Sequence, residues 1–146
     1  MKKAPIVIFN ASVVLAGLRA PSGGSGKVLS WAKGGKIKGI ISEIVLDEVF
    51  RHVAKIGQEE KRALKYLGSI FKKIFPPPQK ENVEVYENIV KDLGDAHILA
   101  SAKEAKANFL VTLDKKHLLV LKNKVKDFEI VTPGQLIEKL LGSINN

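Results

Sequence analysis

Apolar residues along the chain follow two alternating patterns. Pro5–Phe9 is a short continuous apolar run, the signature of a strand buried on both faces, and Ile37–Ile41, Phe109–Leu113 and Phe128–Val131 read as further short strands. Val83–Tyr86 is a fifth short segment of strand composition. Between these runs apolar positions recur every three or four residues, the helical period. Ala11–Leu18 reads as a helix, followed by a breaker from Ala20 to Gly26 and a short helix Lys27–Ala32 that stops at Gly34 and Gly35. Ser42 is a good N-cap for the next helix, whose Val45, Leu46, Val49, Phe50, Val53 and Ile56 recur at helical spacing up to Gly57. Acids open that helix (Glu43, Asp47, Glu48) and bases close it (Arg51, His52, Lys55), complementing its dipole.

The spacing predicts another amphipathic helix from Gln58 to Phe75, with Leu64, Leu67, Ile70, Phe71 and Ile74 on one side and Pro76, Pro77 and Pro78 ending it. Three more helices are expected. Asp95–Lys106 turns Ile98, Leu99, Ala102 and Ala105 inward, Lys115–Leu121 is short, and Pro133–Leu141 carries proline in its first turn. Strands alternate with helices, with no internal repeat and no dividing linker. The pattern predicts a single α/β domain over residues 1–146, a three-layer fold with a mostly parallel sheet covered by helices on both faces.

A chain of 146 residues is long enough for one such core. Without cysteine, any metal must be held by oxygen or by His52, His97 and His117, which points to hard cations or none. The N-terminal apolar run breaks at Asn10, too early for a secretory signal, and no run approaches the roughly 18 apolar residues of a membrane span. A cytoplasmic protein with no membrane partner is expected. The net charge of +9 suits a polyanion such as nucleic acid, or simply a solvated lysine surface.

In open α/β sheets ligands bind beyond the carboxyl ends of the strands. Asn10 follows the first strand and Asp114 the strand ending at Leu113, so both belong there. Asp95 opens its helix three and four residues before the inward Ile98 and Leu99, which puts its carboxylate on the buried side at the positive helix end. Glu48 lies between the apolar rows through Val45 and Val49. Taken singly, Asp95 reads first as an N-terminal capping or helix-dipole residue and Glu48 as a solvated border residue. Taken together, three acids in one pocket repel one another, and a Mg²⁺ or Mn²⁺ ion would resolve the conflict while binding phosphate. Metal-assisted phosphodiester hydrolysis is the chemistry that follows.

These segments, in this order, resemble the PIN domain family. Ile8-Phe9-Asn10-Ala11-Ser12-Val13 is similar to its opening strand motif, where an Asp is followed by Thr-Asn or Ala-Ser. Leu15 to Gly23 is similar to the loop of the toxin-component subgroup, relatives of the VapC toxins. Ser42 to Glu48 resembles the helix bearing the second acid, Gly94 to Ala100 the third, and Leu110 to Asp114 the fourth, while Ile130 to Pro133 has the family's closing cadence. The likeness runs from about Ile6 to Leu136. It implies a five-stranded parallel sheet and a metal-dependent ribonuclease, often a homodimer and often silenced by an antitoxin protein encoded beside it.

The resemblance assigns Glu48, Asp95, Asp114 and Asn10 to the metal and catalytic site, with Thr112 as a water-positioning hydroxyl. Thr112 is also an ordinary β-branched strand residue. Asn10 stands where the family usually has Asp. Its carbonyl can ligate a hard cation, but it carries no charge and cannot act as a base. Two readings stay open, a weakened ribonuclease or a catalytically silent module that binds RNA or a protein partner. A DNA-structure nuclease of the wider group would need arch or clamp insertions for which the chain has no room. The glycines before Lys27 do not make a phosphate loop, because Pro21 and Val28 occupy two of its required positions. The histidines are too scattered to read as a zinc set, and Trp31 is expected in core or interface packing.

Overall fold

The computed structural model describes residues 3–145. Met1, Lys2 and Asn146, part of the expected 1–146 domain, lie outside the described residues. In chain order the elements are β1 (Ile6–Phe9), α1 (Ala11–Arg19), α2 (Gly24–Gly34), β2 (Lys38–Ser42), α3 (Glu43–Val53), α4 (Glu60–Ile70), β3 (Ile74–Phe75), α5 (Lys80–Glu87), α6 (Leu93–Glu104), β4 (Phe109–Val111), β5 (Glu129–Val131) and α7 (Pro133–Asn145). Short 3₁₀ turns at Ala54–Ile56 and Leu119–Leu121 complete the chain. Five strands form one sheet in the order β3-β2-β1-β4-β5, and every neighbouring pair is parallel.

β1 lies at the centre because its sequence can be buried on both faces. Val7, Ile8 and Phe9 are wholly inaccessible to solvent. The register pairs Ile8 with Ile40 on one side and with Leu110 on the other. Among the helices, α1 contacts α2 and α3, α2 contacts α4 and α7, and α5 and α6 form a pair of their own. Side chains from β1, β2, β4, β5 and the inner faces of all these helices make up the hydrophobic core.

Three expectations change. Val83–Tyr86 is not a strand but part of α5, where Val83 and Tyr86 are buried one turn apart while Glu84 and Val85 face out. The alternation of Val-Glu-Val-Tyr imitates a strand over four residues, and only packing against α6 selects the three-residue period. Glu104 on α6 reinforces the choice, its Oε2 accepting hydrogen bonds from the Gln79 backbone N–H at 2.8 Å and the Asn82 amide at 2.7 Å. The helix expected to run from Gln58 to Phe75 stops at Ile70, and Ile74–Phe75 becomes the edge strand β3, paired with Ile41 and Ser42. That strand restores the expected count of five. Leu64 and Ile74, placed on the inner side by their spacing, are both exposed, whereas Leu67, Ile70 and Phe71 are buried as expected.

The breaker segment also differs, because α2 starts at Gly24 rather than Lys27. Its glycines permit a close crossing. A Cβ added at Gly26 would collide with the backbone of Pro21, and one at Gly17 would collide with the Leu29 side chain. Elsewhere the boundaries move by a few residues. The Lys115–Leu121 helix is a turn followed by the 3₁₀ turn, and α7 extends to Asn145. Ser42 caps α3 as expected, its Oγ accepting the Val45 N–H at 3.2 Å.

The crossing predicts an asymmetry between glycines. Gly26→Ala should destabilise the protein by about 1–3 kcal/mol, since the obstacle is backbone and cannot rotate away. Gly68→Ala, in the interior of α4 with nothing within 4 Å of the added carbon, should stabilise it by about 0.5–1 kcal/mol. Urea titrations of the two variants beside the parent check both signs.

Candidate active site

The strand order reverses at β1, whose chain continues to β2 on one side while β4 occupies the other. In a parallel sheet such a reversal parts the loops leaving the two central strands and opens a crevice at their carboxyl ends. A cleft of about 620 Å³ lies there. Asn10, Ala11 and Ser12 line it from the end of β1, Ser42 and Glu48 from β2 and α3, Asp95 from α6, and Asp114 from beyond β4.

Asn10 is held by a network that ties β1 to β4. Its backbone N–H donates to the Val111 carbonyl at 3.0 Å, and its Oδ1 accepts hydrogen bonds from Ser12 Oγ at 2.7 Å and Thr112 Oγ1 at 2.9 Å. Each hydroxyl also accepts a backbone N–H at 3.0 Å, Ser12 Oγ from Leu113 and Thr112 Oγ1 from Asp114. Thr112 is completely buried and does not line the cleft, so it reaches the site through Asn10.

Asp114 orders the turn that follows it. Its Oδ1 accepts the His117 N–H at 3.0 Å, and its Oδ2 lies 3.1 Å from His117 Nδ1, which donates because a carboxylate oxygen can only accept. His52 is oriented in the same manner, with Nδ1 donating to the Glu48 carbonyl at 2.8 Å. Asp95 has no such support. Its Oδ2 is buried with no hydrogen-bond partner, and burial raises its carboxyl pKa above the usual range. His117 opposes that rise most, and the Asp92 backbone opposes it slightly, while the neighbouring charges of Asp114 and Asp92 add to it.

Glu48, Asp95, Asp114 and Asn10, separated by up to 104 positions in sequence, thus line one cleft. Sequence reasoning passed over Asp92, and it set aside His52, His97 and His117 as scattered, yet all four line the cleft. A signal for His52 was present, since residues four apart on a helix share a face and Glu48 was already a candidate. A hard divalent cation suits this set of carboxylate oxygens, and the unpartnered Asp95 oxygen is an acceptor that such an ion would satisfy. As the side chains stand, no three Asp, Glu or His groups among the described residues are close enough to enclose one, so binding requires the carboxylates to draw together.

The sequence profile of the PIN domain matches residues 6–116. Among solved structures, the chain is similar to VapBC2 from Rickettsia felis bound to a DNA fragment of its promoter, with 19% identity, TM-score 0.60, and 87% of this chain and 98% of that one covered. It is similar to PAE2754 from Pyrobaculum aerophilum, with 19% identity, TM-score 0.63, and 95% and 96% covered. A third likeness is to a toxin-antitoxin complex from Klebsiella pneumoniae, with 24% identity, TM-score 0.62, and 85% and 99% covered. No curated protein matches. At these identities the structures establish a shared fold.

Two outcomes follow from the site itself. Because the folded state raises the Asp95 pKa, it favours the protonated acid, and the ionised form costs stability once pH climbs past the ordinary carboxyl range. Asp95→Asn should therefore raise the melting temperature in EDTA at neutral pH. The gain should shrink as pH falls through the folded-state pKa and vanish where both states are protonated. Thr112→Val keeps the shape but removes one donor to Asn10 and strands the Asp114 N–H, which should cost about 1–3 kcal/mol in a urea titration.

Proposed function

The chain belongs to the PIN domain family, and from that membership we propose that it is a divalent-metal-dependent ribonuclease of VapC type, partnered by an antitoxin protein. The observation that carries the reading is the convergence of Glu48, Asp95 and Asp114 on the cleft at the strand reversal. Glu48, Asp95 and Asp114 would hold Mg²⁺ or Mn²⁺, with Asn10 and Thr112 beside them. Bound there, the ion supplies phosphate charge neutralisation and an acidified water. Hydrolysis adds water across one P–O bond of the RNA backbone and releases a phosphomonoester and an alcohol. The chain's own contribution is positional, because the turn at Asp114 and the hydroxyl network at Asn10 fix the site's floor against β4. The +9 charge supplies attraction for RNA from the surface around an acidic centre. Cytoplasmic location and a homodimer complete the reading. No helix among the described residues is long and apolar enough to cross a membrane.

A second reading is favoured by Asn10. An amide there removes one negative charge from the metal site, which suits a module that binds RNA or a protein without cutting.

Metal and substrate separate the two. The ribonuclease should cut single-stranded RNA with Mg²⁺ or Mn²⁺ and stop in EDTA, and Asn10→Asp should cut at least tenfold faster, with Asp95→Asn added on top abolishing the gain. Cleavage that is absent, or that ignores both metal and Asn10→Asp, leaves the silent module. RNA binding should also weaken steeply with salt, log K falling with log salt at about 0.7 per phosphate neutralised on a single strand. A flat salt dependence would make the lysines a solubility feature.

A further inference from the structure

The hydroxyl network decides which end of the Asn10 amide faces the cleft. Thr112 is fully buried, its Oγ1 accepts the Asp114 N–H, and its one proton is directed to Asn10. Ser12 Oγ likewise accepts the Leu113 N–H and gives its proton to the same atom. Two donors therefore converge on Asn10 Oδ1 and occupy both of its lone pairs. A nitrogen in that place would leave the Thr112 proton with no acceptor, at the expense of a buried unsatisfied donor. Oδ1 is fixed toward the hydroxyls, and Nδ2 is left over. Among the described residues it has no hydrogen-bond partner, and it is not one of the buried unpartnered atoms there, which are Asp95 Oδ2 and His97 Nδ1. Since Asn10 lines the cleft, Nδ2 is the atom it presents there.

A carboxylate at this position would give one oxygen to the hydroxyls and turn the other toward a cation. The amide of Asn10 turns two N–H donors to the same place. A donor cannot coordinate a metal ion, but it can bind an acceptor carried by the substrate, above all an anionic one. We propose that Asn10 is a substrate-binding residue rather than a metal ligand, its Nδ2 donating to a phosphate oxygen of the bound RNA while Glu48, Asp95 and Asp114 carry the cation alone. The polarity at this point of the cleft is inverted, from a group that attracts metal to one that attracts phosphate. The proposal rests on the nuclease reading for the identity of its ligand, though the amide's orientation does not.

Metal and RNA are measured separately to test it. In calorimetry with Mn²⁺ alone, Asn10→Ala should match the parent within about twofold, because no ligand has been lost. Affinity for a short single-stranded RNA, followed by fluorescence anisotropy with Ca²⁺ present, should fall about tenfold in Asn10→Ala, as expected when one hydrogen bond to a charged group is removed. Mn²⁺ affinity that drops more than fivefold in Asn10→Ala would make Asn10 a ligand and overturn the proposal, as would equal RNA affinity in the two proteins. RNA that fails to bind the parent at all would sink the nuclease reading together with this one, whereas RNA bound equally by parent and variant sinks this one alone. Should Asn10→Ala not fold, the side-chain amide resonances of Asn10 serve instead, identified by their absence from Asn10→Asp. Addition of the RNA should shift that pair downfield, and an unmoved pair in the RNA-bound protein would refute the contact.

Discussion

β1 is paired with a parallel strand along each of its edges, and the rest of the molecule depends on that constraint. A strand in this position spends its backbone hydrogen bonds within the sheet and meets helices on both faces, so its side chains must be apolar, as Val7, Ile8 and Phe9 are. The chain then runs outward in two directions, to β2 and β3 on one side and to β4 and β5 on the other. A sheet wound in one direction only would have no parting of loops at its centre. Because this one reverses at β1, the residues after β1 and β4 face each other, and the Asn10 N–H can bond the Val111 carbonyl at 3.0 Å. The cleft is a by-product of strand order.

What fills the cleft runs against stability. A basic protein concentrates acids at one point and buries part of Asp95 without a partner. The raised Asp95 pKa is the local sign of that cost, and such perturbed groups gather where a ligand is meant to restore the balance. Around it the supports are ordered: Asp114 caps its own turn, and His52 and His117 each have Nδ1 engaged. Asp95 is left free among fixed neighbours, an arrangement that favours capture of a ligand over stability of the empty fold.

The fold was legible wherever a segment's period was long enough to exclude alternatives. The runs ending at Phe9 and Leu113 are apolar enough to mark the interior strands β1 and β4, and α6 shows its inward row of Ile98, Leu99 and Ala102, continued by Ala105 at its C-terminal end. Where the signal spans four residues it is ambiguous. Val83–Tyr86 satisfies the two-residue period and the three-residue spacing equally, and contact with α6 chose the helix. Ile74–Phe75 could not be read as a strand because an edge of two residues has no period at all, only a partner in Ile41 and Ser42.

Local sequence determined the strands of the sheet's centre, the cap at Ser42, the positions of Asp95 and Asp114 at element ends, and the presence of an amide just beyond β1. These depend on periods and punctuation within a few residues, which physical chemistry reads without knowing the rest of the chain. Tertiary structure alone decided that Asp92 joins the cleft, that Asp95 Oδ2 is buried without a hydrogen-bond partner, and that Asn10 points its oxygen at Thr112. The last contact joins residues 102 positions apart, and the choice between the two ends of an amide is made by which donors happen to stand beside it. Composition names the group at position 10, but only the hydroxyls brought to it by the pairing of β1 with β4 settle which of its atoms faces the cleft.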